Sequence, residues 1–305
     1  MTERTSPLFD THAHIIAADR EAYPPAPAER DNPAGPFTVD DLLAGMEALG
    51  VTRACVVQRY FYYRNDNSYA LDACRAHPTE FTPVIMLDGR DAGAVAELNR
   101  IVASQPIGGI RFARPELDVD DTAWMNSPNT MRLWERAAEL RLPVAFIMFE
   151  PHHFYNLPAL RLIAERFPEL RIVLDHTGAL HGATAEVRRA RREPGYVPYV
   201  QPPDYGVTQA LRDVLGASPN VALKVTGINL GCLTADGVDP ARFMRYLVDE
   251  FGADRVMLGS DIGQTEGPYE RIVAGLRDAT RLLTASERKA VEFGTAATWY
   301  GDVGT

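Results

Sequence analysis

Eight short apolar segments alternate with longer amphipathic segments along the chain, and this alternation constrains the fold more than any other feature. The apolar segments are rich in β-branched and aromatic residues, which is typical of buried parallel strands. They are 8–9, 54–58, 81–87, 109–112, 144–149, 172–175, 221–225 and 256–259. The segments between them carry helical periodicity, and the one at 40–49 ends at Gly50, a common helix C-terminal residue. Eight strand–helix units with right-handed crossovers close naturally into a barrel.

We therefore predict an α/β protein with a TIM (β/α)8 barrel that forms a single domain over residues 1–305. A chain of 305 residues is within the range of one such barrel. The alternative is an open, doubly wound sheet. That fold would be expected to carry a glycine-rich phosphate loop after an early strand, and the sequence has none.

The chain is acidic, with a formal net charge of -10 and a pI near 5.2. Nucleic-acid binding usually needs a basic face, so the charge argues against that partner. No segment approaches the roughly 18 apolar residues of a membrane span, and the first residues lack the apolar core of a secretory signal. We expect a cytoplasmic protein without a membrane or nucleic-acid partner, and the sequence leaves homo-oligomerisation open.

Two long segments, 15–37 and 180–204, follow the first and sixth strands and interrupt the simple repeat. Loops at the C-terminal ends of the strands form the pocket of such a barrel. The second segment contains a basic run, 188–192, which we interpret as a solvated helix face rather than a binding patch.

His12 and His14 stand two residues apart at the end of the first strand. In a strand this spacing places both side chains on one face, here the barrel interior, where two imidazoles can bind a metal ion. Asp261 follows the last strand, which pairs with the first in a closed barrel, so it should lie beside the histidines. There it can take a proton from water or complete a metal site. The alternatives are two hydrogen-bonded histidines in the barrel mouth and an aspartate that caps a helix.

His176 ends the sixth strand and gives the mouth a third histidine. Alternation along the strand predicts that its neighbour Asp175 points the other way, into helix packing or a turn. The remaining histidines are His77, expected on the surface, and His152, His153 and His181, whose side chains the sequence does not orient.

Arg111 and Lys224 place cations inside the fourth and seventh strands. A buried cation needs a carboxylate or a ligand as its partner. We interpret Arg111 as an anchor for an anionic substrate, with an internal salt bridge as the alternative. For Lys224 the same two roles are open, and the sequence favours neither. Gln58 and Tyr60, after the second strand, can donate to a substrate oxygen or brace the rim of the barrel.

Three motifs together resemble the amidohydrolase superfamily, in an order that matches residues 8–300. They are Phe9-Asp10-Thr11-His12-Ala13-His14, Leu174-Asp175-His176-Thr177-Gly178 and Gly259-Ser260-Asp261. Residues 37–42, 108–111, 157–160 and 166–171 are similar to the branch that contains pyrone dicarboxylate lactonase and sugar lactonases. The resemblance implies metal ligands at the strand-one histidines, at a strand-five His or a strand-four Lys or Glu, at the strand-six His and at the strand-eight Asp.

The chain matches this ligand pattern at His12, His14, His176 and Asp261. The strand-five position falls near Ile147 or Met148, and strand four offers Arg111, which cannot bind a metal. The resemblance therefore argues against a binuclear site. It implies either no cofactor or one divalent ion held by the strand-one histidines and the strand-eight aspartate, with zinc as the expected metal.

We expect a hydrolase that acts on a lactone or related cyclic ester carrying a carboxylate. In this scheme Asp261 deprotonates the attacking water. The oxyanion is stabilised by the three strand-end histidines or by a metal ion that they hold. The substrate carboxylate is bound by Arg111, with Lys224 as a second cation. The alternatives are a metal-dependent decarboxylase of the same superfamily and a binding barrel that has lost catalysis.

Overall fold

The computed structural model describes residues 6–27, 35–112, 122–147, 153–179, 189–198 and 200–301. Eight parallel strands follow one another in a single sheet in the order β1 to β8. They are β1 Leu8–Ala13, β2 Val51–Val57, β3 Phe81–Leu87, β4 Gly109–Phe112, β5 Val144–Phe146, β6 Ile172–Leu174, β7 Val221–Thr226 and β8 Val256–Gly259. The predicted barrel is confirmed, although β5 is shorter than the segment 144–149 that the sequence indicated.

Helices return the chain from the end of one strand to the start of the next. They are α1 Val39–Leu49, α2 Tyr60–Tyr63, α3 Ser68–Ala76, α4 Ala94–Ser104, α5 Ala123–Asn126, α6 Pro128–Glu139, α7 His153–Arg166, α8 Gln209–Ala217, α9 Gly227–Ala235, α10 Pro240–Phe251, α11 Tyr269–Ala279, α12 Ala285–Lys289 and α13 Thr295–Tyr300. Helix α1 ends as expected at Gly50, whose left-handed φ of 67° suits a residue without a side chain. In the described part of the chain, every helix is too short or too polar to cross a membrane.

Strands β1 and β8 close the barrel through hydrogen bonds at their C-terminal ends. The backbone N–H of His14 donates to the carbonyl of Ile262 at 3.0 Å, and that of Asp261 donates to the carbonyl of His12 at 2.6 Å. The carboxylate of Asp10 adds a side-chain clamp, because it accepts from the backbone N–H of Ser260 at 2.7 Å and from the Tyr269 hydroxyl at 2.9 Å. The seam therefore holds His12, His14 and Asp261 on adjacent backbone.

The pairing of β1 with β2 shifts between Asp10 and Ala13, and this irregularity changes which residues face inward. Phe9 packs in the barrel interior, whereas strict alternation would then place His12 outside. Because an irregular pairing inserts an extra residue, the inward face moves from odd to even positions. His12 and His14 consequently share the interior with Phe9, as the spacing of the two histidines predicted.

The lower part of the interior is an apolar plug. It consists of Phe9, Cys55, Val57, Val84, Ala145, Val173, Ala222 and Met257 from the strands, with Ala296, Trp299 and Tyr300 from α13. Helix α13 thus closes the base of the barrel. Since the base is filled by apolar side chains, the polar residues of the strands collect at the opposite end.

A second apolar layer lies between the sheet and the surrounding helices. Leu98 on α4, Leu133 on α6, Leu160 on α7 and Leu247 on α10 are each fully buried in it. Burying a leucine side chain contributes roughly 1.5–3 kcal/mol. This layer fixes the helices against the strands and so holds the strand ends in place around the mouth.

Candidate active site

His12, His14 and Asp261 form a compact, buried cluster where β1 meets the end of β8. Oδ1 of Asp261 lies 3.2 Å from Nε2 of His14 and 3.6 Å from Nε2 of His12. The two imidazole rings meet edge to face, with centroids 4.9 Å apart. Gly259 makes this approach possible, since a Cβ at that position would lie 2.6 Å from Cβ of His12. Two nitrogens and one carboxylate oxygen therefore converge on one small volume.

Asp261 has a left-handed backbone conformation, with φ of 57°. Such a conformation costs of order 1–3 kcal/mol for a residue with a side chain, so the surrounding structure must impose it. Here the backbone N–H of Asp261 is held by the His12 carbonyl, and Oδ2 accepts from the Thr265 hydroxyl at 2.9 Å. Oδ2 is thus occupied, and Oδ1 is the oxygen that faces the histidines.

His176 is the third histidine of the mouth, and its ring lies 4.9 Å from that of His12, measured between centroids. Its φ of 55° and the φ of 57° at Thr177 form a left-handed turn directly after β6. Nδ1 of His176 is 2.6 Å from the hydroxyl oxygen of Thr226, the last residue of β7. The turn therefore directs the ring of His176 into the barrel mouth.

Asp175 also points into the barrel, and the expectation that it faces away is wrong. It is fully buried and contacts three partners at once. Its Oδ2 accepts from Nε of Arg111 at 2.7 Å, while its Oδ1 lies 3.2 Å from Nζ of Lys224 and 3.4 Å from Nδ1 of His12. Asp175 is thus the central anion of the site.

The reason for this error lies in the backbone after β6. Val173 faces the interior, so alternation places Asp175 on the same inward side. His176 also reaches the interior, because its left-handed φ breaks the extended conformation at that residue. The prediction placed His176 inward and assumed an extended strand, in which adjacent side chains point in opposite directions. Asp175 was therefore predicted to point outward. A β-branched residue two positions before Asp175 was the signal that could have corrected it.

Arg111 lies in β4 with a largely buried side chain that retains 8% exposure. Its Nε is hydrogen-bonded to Asp175, which realises the internal salt bridge that the sequence left as an alternative. Within the described residues, its two terminal nitrogens make no hydrogen bond. Arg111 therefore combines an internal ion pair with two terminal nitrogens that no other described residue engages.

The other three predicted binding residues are held by protein contacts. Lys224 is fully buried beside Asp175, with Nζ 5.1 Å from the centroid of the Tyr300 ring. The amide of Gln58 donates to the carbonyls of Arg64 and Asp66 at 2.7 and 2.8 Å, which braces the rim. Tyr60 begins α2, and the guanidinium of Arg64 lies over its ring at 5.2 Å. The contacts of Lys224 and Gln58 match the structural alternatives given for them.

Of the remaining histidines, His77 is half-buried at the end of α3 and packs on Phe81. His153 begins α7, whereas His152 and His181 lie outside the described residues, as does Met148. Ile147 follows β5 and is half-buried. In the basic run 188–192, Arg191 is not a solvated cation, because its guanidinium forms two hydrogen bonds of 2.7 and 2.8 Å with Asp236, the residue that follows α9.

Burial controls the protonation of the three histidines. It lowers the pKa of His12, His14 and His176, which keeps the imidazoles neutral near pH 7. Burial would raise the pKa of Asp175, but Lys224, His12 and Arg111 outweigh it and hold that pKa well below the usual range. Burial would also raise the pKa of Asp261, but its contact with His14 and positive charge at the positions of His176 and His12 outweigh burial and lower that pKa; with neutral imidazoles, a bound cation would supply this charge. Both carboxylates are therefore ionised.

The donor set fits a cation. Nδ1 of His14 lies 2.7 Å from the Val57 carbonyl, which can only accept, so Nδ1 carries the proton and Nε2 carries a lone pair. That lone pair faces Oδ1 of Asp261 at 3.2 Å, an arrangement that a positive charge between the atoms would stabilise. Donors at about 2.0–2.1 Å in a tetrahedral zinc site are about 3.3 Å apart, close to the distances found here.

A family model described as amidohydrolase matches residues 9–301. The chain belongs to this family, as the three sequence motifs implied. L-fucono-1,5-lactonase of Burkholderia ambifaria is 30% identical over 264 residues, which cover 83% of this chain and 79% of the lactonase. The prediction of a hydrolase related to the lactonase branch is confirmed.

Solved structures share the fold. A probable 2-pyrone-4,6-dicarboxylic acid hydrolase from Acinetobacter baumannii, crystallised with citric acid, superposes with a TM-score of 0.69 and 18% identity, covering 96% of this chain and 99% of that one. An amidohydrolase from Burkholderia multivorans with bound zinc gives a TM-score of 0.66 and 22% identity, covering 97% and 99%. At these identities the likeness concerns the barrel itself.

Proposed function

We propose that this protein hydrolyses a lactone that carries a carboxylate. The observation that carries the proposal is the convergence of Asp261, His12 and His14 beside the guanidinium of Arg111, all at one end of the barrel. The similarity to a curated lactonase over four fifths of the chain supports the reaction class.

Asp261 is the proposed general base. Its carboxylate is ionised, and Oδ1 has no hydrogen-bond donor among the described residues. One lone pair of Oδ1 can therefore accept a proton from a water molecule in the mouth, while the other would face the ion considered below. Oδ2 is fixed by Thr265, which leaves Oδ1 in one orientation. A base that is held in this way needs no reorganisation when the water attacks the lactone carbonyl.

His12, His14 and Asp261 would hold one divalent ion, and we propose zinc. Such an ion acts as a Lewis acid that polarises a carbonyl and promotes the ionisation of water. Both histidines are neutral, as ligands must be, and one carboxylate oxygen completes the set. Among the described residues, Ile147 directly after β5 offers no further ligand, so we propose a single ion.

The proposed role of Arg111 is to bind the substrate carboxylate with its terminal nitrogens. Its planar guanidinium can form two parallel hydrogen bonds with a carboxylate. Two cations, Arg111 and Lys224, share the single charge of Asp175, so this cluster carries one net positive charge that a substrate anion would neutralise. Lys224 acts by charge, because its side chain is fully buried.

The test compares substrates with purified, zinc-loaded protein. Hydrolysis of a lactone at neutral pH releases a proton, which an indicator dye follows, whereas decarboxylation releases carbon dioxide. We expect turnover of a pyrone or an aldaric lactone that carries a carboxylate, with a higher kcat/KM than for a matched uncharged lactone. Release of carbon dioxide from aromatic carboxylic acids without lactone hydrolysis would support the decarboxylase alternative, and binding without turnover the inactive barrel.

Three further expectations stay proposals: a single domain over residues 1–305, a cytoplasmic location and the absence of a nucleic-acid partner. The last rests on the net charge of -10.

A further inference from the structure

A buried chain of hydrogen bonds connects His176 to the start of α9. Nδ1 of His176 lies 2.6 Å from Oγ1 of Thr226, and Oγ1 lies 3.1 Å from Oδ1 of Asn229. Oδ1 of Asn229 also accepts from the backbone N–H of Thr226 at 2.9 Å, and its Nδ2 donates to the carbonyl of His176 at 3.1 Å. All three side chains are at least nine-tenths buried.

The orientation of the Asn229 amide is fixed by its two backbone partners. A backbone N–H can only donate and a carbonyl can only accept, so the atom near Thr226 is the oxygen and the atom near the His176 carbonyl is the nitrogen. Because an amide oxygen cannot donate, the contact between Oγ1 and Oδ1 requires the hydroxyl proton of Thr226.

Thr226 has only one hydroxyl proton, and that proton is directed to Asn229. Oγ1 can then take part in the 2.6 Å contact with His176 only as an acceptor, so Nδ1 of His176 carries a proton. A neutral imidazole with a proton on Nδ1 has no proton on Nε2. Nε2 of His176 is therefore the nitrogen with the lone pair.

We propose that Asn229, acting through the Thr226 hydroxyl, fixes the tautomer of His176 and is a positioning residue of the active site. The amide holds the hydroxyl in one direction, and the hydroxyl holds the imidazole proton on Nδ1. The same amide restrains the His176 carbonyl, at the residue whose φ is left-handed. His176 then presents Nε2 as a ligand or proton acceptor rather than as an N–H donor.

The test reads the tautomer directly by nitrogen NMR of the full chain with 15N-labelled histidine, in the presence of a chelator. The protein has seven histidines, and His176 is assigned by the signals that a His176→Gln variant lacks. We expect the wild type to show a protonated Nδ1 and an unprotonated Nε2. This readout needs neither substrate nor metal, so it remains informative even if the proposed lactonase reaction fails.

Three variants test the individual hydrogen bonds between His176, Thr226 and Asn229. Asn229→Ala removes the acceptor of the Thr226 hydroxyl, which then donates to Nδ1 rather than stay buried without a partner, so the tautomer should reverse. Thr226→Val keeps the shape but removes the hydroxyl, so both tautomers should be populated. Thr226→Ser restores the hydroxyl and should retain the wild-type spectrum.

The kinetic arm rests on the proposed function. Loss of a hydrogen-bond partner of an active-site histidine typically lowers activity or metal affinity about 10- to 100-fold. We expect a loss of this size in kcat for Asn229→Ala and Thr226→Val, a small change in KM, and recovery in Thr226→Ser. A wild-type His176 protonated on Nε2, or an Asn229→Ala variant that retains the proton on Nδ1, would overturn the proposal. Circular dichroism of each variant establishes that the barrel is folded.

Discussion

Asp175 and His12 meet inside the barrel, with Oδ1 of the aspartate 3.4 Å from Nδ1 of the histidine. The same carboxylate accepts from Arg111 and contacts Lys224. One buried charge therefore touches both a histidine of the proposed metal site and the arginine proposed to bind the substrate. Asp175 therefore helps to position both the histidine and the arginine in the barrel mouth.

Replacing Asp175 should destabilise the fold through its partners. Asp175→Asn leaves Lys224 without a counter-charge, and breaking a buried ion pair on one side costs about 3–5 kcal/mol. The double variant Asp175→Asn/Lys224→Met removes both charges and should recover much of this loss. Urea denaturation of the two variants measures the difference. Glu97→Gln, at an exposed pair with Arg100, is the control and should hardly change the midpoint. If the double variant were as unstable as Asp175→Asn, the unpaired charge of Lys224 would not be the cause of the instability.

Asp261→Asn should abolish most of the catalytic rate while the protein stays folded. The substitution keeps the size of the side chain but removes a proton acceptor, and loss of a positioned base costs about 100- to 10,000-fold in rate. The measurement is kcat with a lactone that the wild type turns over. Thr265→Val is a matched variant, because it removes only the hydrogen bond to Oδ2 and should have a smaller effect. A folded Asp261→Asn enzyme with normal kcat would assign the proton transfer to the histidines.

Arg111→Lys should affect binding more than chemistry. The substitution keeps the charge but loses the planar pair of donors, so KM for a carboxylated lactone should rise with a smaller change in kcat. For an uncharged lactone of the same ring size, KM should change little. The measurement is the change in KM for the carboxylated lactone relative to the change in KM for the uncharged lactone. If Arg111 had only a structural role, the substitution would change KM for both lactones equally.

Metal analysis should find at most one tightly held ion per chain. In the part of the chain that the structure describes, the three donors His12, His14 and Asp261 form one site, and β5 is followed by Ile147 instead of a further ligand. Elemental analysis after mild dialysis gives the stoichiometry, and His14→Gln should lower it. Two tightly held ions per chain would contradict the single site.

The metal-free protein should lose stability as the pH falls below about 6.5. Burial lowers the pKa of His12, His14 and His176 in the folded state, whereas the unfolded chain has ordinary values. The unfolded state then binds more protons, so the free energy of unfolding decreases by up to about 1.4 kcal/mol per histidine for each pH unit. Urea titrations between pH 8 and 5 test the sign. Stability that rises toward pH 5 would contradict the burial of neutral imidazoles.

The fold could be predicted because the pattern of apolar segments repeats along the chain. The positions of His12, His14, His176 and Asp261 could also be predicted, since each lies within five residues of the end of an apolar segment. The inward shift within β1 could not be predicted, because an irregular pairing depends on the neighbouring strand and leaves no mark in the alternation.

Contacts between side chains on different strands also could not be predicted from the sequence. The sequence suggested a partner for Arg111 but did not identify Asp175, which follows a strand 64 positions away. Thr226 and Asn229 did leave a signal, because a threonine three residues before an asparagine at a helix start is typical of a reciprocal cap. Their contact with His176 became visible only when β6 and β7 were placed side by side.

Helix α13 closes the base of the barrel with Trp299 and Tyr300, directly below Lys224. Substrate and product must therefore use the same mouth, and in the proposed reaction both carry a carboxylate that Arg111 can bind. Opening a lactone adds a second carboxylate, so the product presents more negative charge to the same guanidinium than the substrate does. Product release then becomes an electrostatic step, and the hydroxy acid should act as a competitive inhibitor whose affinity weakens as the ionic strength rises.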